Sequence, residues 1–329
     1  MAVDATLANL SNQLVYSSMV VYTGALLAFA TDLSGRGARR APVEAKVLVG
    51  ADGEPVADGE APFASPRTDE PAPRSRSKAG GVGVALTWLA FALHLGGVVA
   101  RGASAGRAPW GNMYEFSISG AVVVTAVYLV VNLRRDVRWL GTFVIGPVLL
   151  TLGLAVAVLY TQASQLVPAL QSFWLVIHVS VAFVASALFT LAFSTTVVQL
   201  VQERRELARA AGNPPRRGAF MDNLPGSVEL ERSAYRLHVV AFPLWTFTVI
   251  AGAIWAEHAW GRYWNWDPKE VWSFVIWTVY AGYLHARATR GWDGRRSAYL
   301  ALAGYACILF NFLVVNIFFV GLHSYAGVG

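Results

Sequence analysis

The sequence predicts an all-α integral membrane protein that crosses the bilayer about eight times. Of its 329 residues, 55% are hydrophobic and only 14% are charged, whereas about a quarter of a soluble domain is charged. The hydrophobic residues also cluster into stretches of about 20 residues, the length that one helix needs to cross the hydrocarbon core. The predicted spans lie near residues 12–30, 82–100, 115–133, 140–160, 174–200, 236–257, 271–288 and 297–320.

The first span, within residues 1–30, is predicted to be a retained transmembrane helix. Residues 1–11 contain Asp4 but no lysine or arginine, so the basic region of a cleavable signal peptide is missing. Residues 31–81 hold six of the 14 prolines and little that could pack, which predicts a disordered cytoplasmic linker. This linker would separate the first helix from a seven-helix body at residues 82–329.

The basic residues predict the orientation of these spans. Four loops on one side of the membrane, at 31–81, 134–139, 201–236 and 286–296, hold 22 of the 26 lysines and arginines. Without the long first loop, which the positive-inside rule discounts, the ratio is still 14 to 4. We therefore expect a multi-pass protein of the bacterial plasma membrane with both termini and the 258–270 loop outside. The net charge of +6 reflects this topology and does not indicate a nucleic-acid partner.

The cysteine content excludes two functions. Cys307, inside the last span, is the only cysteine. A single thiol cannot carry out CxxC exchange, and no CxxCH motif is present to attach haem to this chain.

A tryptophan-rich loop at 255–272 is predicted between the sixth and seventh spans. Five of the 12 tryptophans fall within these 18 residues. Tryptophans often form a belt at the membrane interface, and a flat aromatic surface with a few polar groups also suits a large planar ligand. Composition leaves both interpretations open.

Two histidines are predicted at the same membrane level as this loop. His178 lies just inside the outer end of the fifth span, and His323 lies just past the outer end of the eighth. A lone histidine near a helix end is most often a hydrogen-bonded interfacial residue. Two imidazoles from different helices beside an aromatic surface are also what axial ligation of a haem iron requires.

The other histidines carry weaker signals. His285 is predicted in the inner half of the seventh span, where an ionisable residue is a functional candidate by default. His94, in the middle of the second span, could simply bond a neighbouring helix. His238 and His258 are expected to be interfacial or loop residues without an assigned role.

The motif TrpGlyArgTyrTrpAsnTrpAspProLysGlu at 260–270 resembles the tryptophan-rich "WWD" signature of haem-handling proteins. Within that group, the chain resembles the CcsA/ResC-like subunit of the system II cytochrome c synthase. Further segments that look like family positions are 109–115, 172–178, 252–256, 283–287 and 321–325, so the resemblance covers most of 82–329.

The resemblance implies haem b as the transported substrate and a ResB-like membrane subunit as partner. His178 and His323 correspond to the family's outer pair of haem ligands, and His285 to its intramembrane histidine. The signature loop implies further haem-binding residues, namely Trp260, Trp264, Trp266 and Asp267. We expect the macrocycle to lie against Trp264 and Trp266, and Asp267 to fix the loop through Arg262 or by capping the next helix.

The predicted function is to present haem at the outer face of the membrane and to support its covalent attachment to the CxxCH segment of apocytochrome c, as a subunit of a holocytochrome c synthase. One alternative is a haem exporter without a role in attachment. Another is a cytochrome b-like electron carrier, which would need histidine pairs at both membrane levels, whereas the inner level offers only His285.

Overall fold

A computed structural model of the chain describes residues 3–38, 78–164, 171–213 and 218–323. Within these ranges the protein is helical and contains no strand, which confirms the predicted all-α class. The eight long helices are α1 (Ala5–Ala38), α2 (Lys78–Ala105), α3 (Met113–Arg134), α4 (Gly141–Ala157), α5 (Phe173–Ala210), α6 (Ser227–Trp260), α7 (Pro268–Arg290) and α8 (Gly294–Leu309). Helix α8 continues as a π-helical segment, Phe310–Val315, and a final turn, Asn316–Phe318.

The long helices confirm a multi-pass membrane protein. Seven of them, all except α7, are long and apolar enough to cross a membrane. Helix α7 has 23 residues and is therefore about 35 Å long, enough to cross the hydrocarbon core. It is less apolar than the others because it carries charged residues at both ends, at Lys269, Glu270, Arg287 and Arg290.

Helix α1 packs closely along α2, and α5 packs along α6. Gly97 allows this close α1–α2 contact, because small residues let membrane helices approach each other. An added Cβ at Gly97 would lie only 2.9 Å from Val15. The first helix therefore packs against the rest of the bundle, and its separation from the 82–329 body by a linker stays a prediction. Helices α1 and α2 also extend into the ends of the predicted 31–81 linker, while residues 39–77 lie outside the described residues.

The loop between α6 and α7 is shorter than predicted. Helix α6 continues to Trp260 and ends at Gly261, whose φ of 70° is left-handed and whose amide donates to the Glu257 carbonyl, as glycine commonly does at a helix end. Helix α7 begins at Pro268. The connection therefore comprises residues 261–267 and not 255–272, so Trp255 lies within a helix.

Candidate functional site

A cavity of about 280 Å³ lies among helices α3 to α8. Most of its wall is apolar, with side chains such as Phe116, Phe183 and Ile308. The polar groups near one end of the cavity include both histidines of the predicted pair. Apolar clefts with a few converging polar groups are typical ligand sites. The wall includes His178, Thr248, Trp264, Lys269, Glu270, Ser273, Asn311 and His323.

His178, in the second turn of α5, has its ring held against α6. Its Nδ1 lies 2.8 Å from the carbonyl oxygen of Thr248. Because a carbonyl can only accept, Nδ1 carries the hydrogen, and Nε2 keeps the lone pair that a metal requires. Gly252 makes room for the ring, since an added Cβ there would lie 2.7 Å from its Cε1 atom.

His323, after the end of α8, is held in the same tautomer. Its Nδ1 lies 2.8 Å from Oδ1 of Asp267, an oxygen that accepts the hydrogen bond. Nε2 is again the nitrogen available to a metal. A carboxylate bonded to the opposite ring nitrogen is the usual support of a metal-bound histidine, because it fixes the ring and increases its basicity.

Trp255 brings the two histidines together. Its ring stacks on that of His178, with centroids 6.1 Å apart and planes within 8°, and its centroid lies 5.6 Å from that of His323. Trp260, also on α6, lies 5.0 Å from His323. The sequence predicts Trp255 in the loop, whereas the structure places it within α6. Trp255 follows Gly252 by three residues, so both lie on one face of α6. This spacing is the sequence signal that could have identified Trp255 as a site residue.

Asp267 connects the tryptophan loop to the C-terminal segment. It caps α7 in a capping box with Glu270, and its Oδ2 accepts from the Leu322 amide at 2.6 Å. Its burial raises the pKa of the carboxyl, but hydrogen bonds from His323, Leu322 and Lys269 outweigh that effect and hold the pKa below its usual value. Asp267 is expected either to pair with Arg262 or to cap the next helix, and in the structure it caps α7.

Arg262 pairs with Glu270 instead of Asp267, at 3.8 Å. Gly321 allows the C-terminal segment to approach, because an added Cβ there would overlap the Asp267 carboxylate.

The loop backbone is strained at Trp266. Its φ of 59° is left-handed, which is uncommon for a bulky residue. The amides on either side, of Asn265 and Asp267, both donate to Oε2 of Glu270, at 2.9 and 3.1 Å. Trp266 is 72% exposed and does not line the cavity, whereas Trp264 does. The structure therefore brings Trp260 and Trp264 to the site and leaves Trp266 outside it.

His285 lies far from this cavity. It is exposed near the C-terminal end of α7, sixteen residues from Lys269 and therefore about 24 Å along the helix. The structure does not bring it together with the outer pair.

Two other histidines are buried in the core. His94 lies 3.4 Å from the Tyr22 hydroxyl. His238 packs among Phe189, Tyr280 and Tyr283, and neither ring nitrogen has a hydrogen-bond partner among the described residues. This position corrects our interfacial assignment of His238. The reason is that α6 begins at Ser227, which places His238 three turns inside the helix.

The fold has a counterpart among solved structures. It resembles a protein titled "Cytochrome c Heme Lyase CcmF" with a TM-score of 0.61 over 95% of this chain, at 14% identity. This chain spans 47% of that protein's length, and at this identity the likeness shows the fold alone.

Sequence comparison identifies the family. "Cytochrome c biogenesis protein CcsA" of Synechococcus elongatus is 35% identical over 287 residues, which cover 75% of this chain and 86% of that protein. The namesake from Microcystis aeruginosa is 35% identical over 289 residues, covering 75% of this chain and 87% of that protein. The model of the family described as "Cytochrome C assembly protein" matches residues 110–323. The chain therefore belongs to the cytochrome c assembly protein family, as a CcsA-like, multi-pass membrane protein of cytochrome c biogenesis.

Proposed function

We propose that the cavity binds haem b as a substrate, with the iron between His178 and His323. The observation that carries this proposal is the shared arrangement of the two imidazoles. Each has its Nδ1 hydrogen committed to a protein acceptor, each keeps Nε2 for a metal, and both contact Trp255. A structural role for either ring would not require the same tautomer at both positions beside one cavity.

The cavity walls support the same ligand. Their apolar and aromatic side chains suit the faces of a large planar macrocycle, and Trp264 contributes from the tryptophan loop. Trp260 packs against the His323 ring and thereby restricts its orientation. In this proposal the protein supplies binding, orientation and exclusion of water, while the haem supplies the reactivity.

We further propose that the bound haem is presented at the outer face of the bacterial plasma membrane, with both termini of the chain on that side. There the cysteine thiols of an apocytochrome c CxxCH segment add to the haem vinyl groups. In each addition a C–S bond forms and the thiol proton goes to the neighbouring vinyl carbon, so no net oxidation occurs. The partner in this reaction is a ResB-like membrane subunit.

His285 is proposed to assist entry of haem on the inner side. Its exposed position on α7 leaves the imidazole accessible to a partner helix, and an exposed ionisable residue within a span is costly unless it serves a function.

The experiment is co-expression of the chain with a ResB-like partner and an apocytochrome c, scored for covalently bound haem. We expect His178→Ala or His323→Ala to abolish covalent attachment, and added imidazole to restore part of it by filling the open coordination position. His258→Ala is the matched control, because His258 is an exposed histidine near the end of α6 whose hydrogen bond and ion pair, among the described residues, are with Ile254 and Glu257 of the same helix.

Normal maturation in both single mutants without imidazole would contradict the ligand assignment. Haem delivered outside the membrane but never attached covalently, with the partner present, would identify an exporter instead of a synthase subunit.

A further inference from the structure

We propose that Lys269 is a carboxylate-binding residue of the cavity, and that its ligand is a propionate side chain of the bound haem. This inference rests on the proposed function, because it assumes that the cavity holds haem. It assigns the position of the polar edge of the macrocycle, on the α7–α8 side of the cavity.

Lys269 lies in the first turn of α7 and lines the cavity. Its ammonium group donates to the backbone carbonyl of Asn311 at 3.0 Å and to the side-chain oxygen of Asn316 at 2.8 Å. Both acceptors are neutral. A lysine ammonium has three N–H donors, so one donor remains for a ligand.

The carboxylates of the same helix turn have other partners. Asp267 attracts Lys269 electrostatically, but its oxygens accept from His323, Leu322 and the Lys269 backbone amide. Glu270 accepts from two loop amides and pairs with Arg262. Among the described residues, no carboxylate oxygen lies within 4.0 Å of the Lys269 ammonium. A partly buried cation without a close counter-ion favours binding of an anion.

The two asparagines hold the lysine at the cavity wall. Asn311 lies within the π-helical segment of α8 and Asn316 directly follows it. Such segments are rare and occur frequently at functional sites. Asn311 also directs its side chain to Ser273 at 3.4 Å, so α7 and α8 are joined by a polar cluster that faces the cavity.

Haem matches this distribution of groups. It combines an iron for the two histidines, an apolar macrocycle for the aromatic walls, and carboxylates on one edge. Charge-assisted hydrogen bonds are about twice as strong as neutral ones, so Lys269 would orient the macrocycle and not only increase its affinity. The orientation decides which edge, and therefore which vinyl groups, faces an incoming thiol.

The test compares two ligands, haem and haem dimethyl ester, whose propionates are esterified and uncharged. Each is titrated into purified protein with its partner subunit, for the wild type, Lys269→Met, Lys269→Arg and Lys78→Met. We expect Lys269→Met to weaken haem binding by about ten- to a hundredfold and to leave dimethyl ester binding unchanged. Lys269→Arg should retain most of the preference for haem. Lys78, exposed at the first residue of α2, provides the matched loss of charge and should have no effect.

The two ligands separate this inference from the proposed function. Equal binding of haem and its ester by the wild type, or a Lys269→Met variant that weakens both equally, would overturn the propionate assignment while the haem site stands. A wild-type protein that binds neither ligand would overturn the proposed function as well.

Discussion

Replacement of Asp267 by alanine should weaken haem binding while leaving membrane insertion intact. Asp267 supports the site in three ways: it caps α7, accepts the Leu322 amide and orients the His323 ring. Alanine removes all three contacts, but none of them determines whether the spans enter the bilayer. The predicted effect is therefore confined to the loop, the C-terminal segment and the ring that they position.

The magnitude follows from these contacts. Loss of the helix cap costs about 1 kcal/mol. Leu322 is an exposed residue, so the loss of a partner for its amide costs less than the about 1–3 kcal/mol of a buried donor, whereas a hydrogen bond to a charged group contributes about 1.5–3 kcal/mol. These terms share one carboxylate and do not add. Loss of the group that orients a metal-bound histidine lowers metal affinity about 10- to 100-fold, about 1.4–2.8 kcal/mol, which agrees with the individual terms. We predict a decrease in haem affinity within that range.

The assay is an absorbance titration of haem into purified variants at matched protein concentration. Asp267→Asn separates the contributions, because asparagine caps a helix as well as aspartate does but brings no charge to His323. We expect an intermediate affinity and a higher reduction potential of the bound haem, since the imidazole becomes less basic. Asp293→Ala is the matched control, because Asp293 occupies the cap position of α8 without a capping hydrogen bond. Wild-type affinity in Asp267→Ala would refute this account of the site.

Three further predictions concern other parts of the chain. Gly252→Ala should reduce haem content several-fold, because the added methyl group displaces the imidazole of His178. The control Gly282→Ala, where nothing lies within 4 Å of the added Cβ, should leave haem content unchanged. Equal haem content in the two variants would contradict the proposed packing. His285→Ala should lower haem occupancy without altering the spectrum of the bound haem, and full loading of that variant, purified with its partner, would count against an entry role. In a Cys307→Ala background, a cysteine at position 60 should resist impermeant external thiol reagents, and its labelling would reverse the predicted topology.

The predictable part of the site was the part encoded by local motifs. From the sequence, both histidines are predicted at one membrane level. Asp267 is predicted to cap the next helix, because the DPxE pattern at 267–270 is a local signal for a helix start. It did not indicate that Trp266 is exposed while Trp264 lines the cavity. That difference depends on the left-handed backbone at Trp266, which two hydrogen bonds to Glu270 hold in place. Likewise, the sequence shows Lys269 only as a member of the motif, whereas the neutral partners of its ammonium group are residues of the α8 extension.

By itself, the sequence determined the helical class, the number of long helices and the family. The apolar helices are predictable because the free energy of moving a helix into the bilayer depends mainly on that helix's own residues. The tertiary structure decided which residues meet at the site. His178 and His323 contact one tryptophan because α6 carries Trp255 on the same face as Gly252, where the α5 helix can approach. Such contacts depend on how helices distant in sequence are rotated and packed against each other, and the hydropathy of a single span contains no information about that rotation.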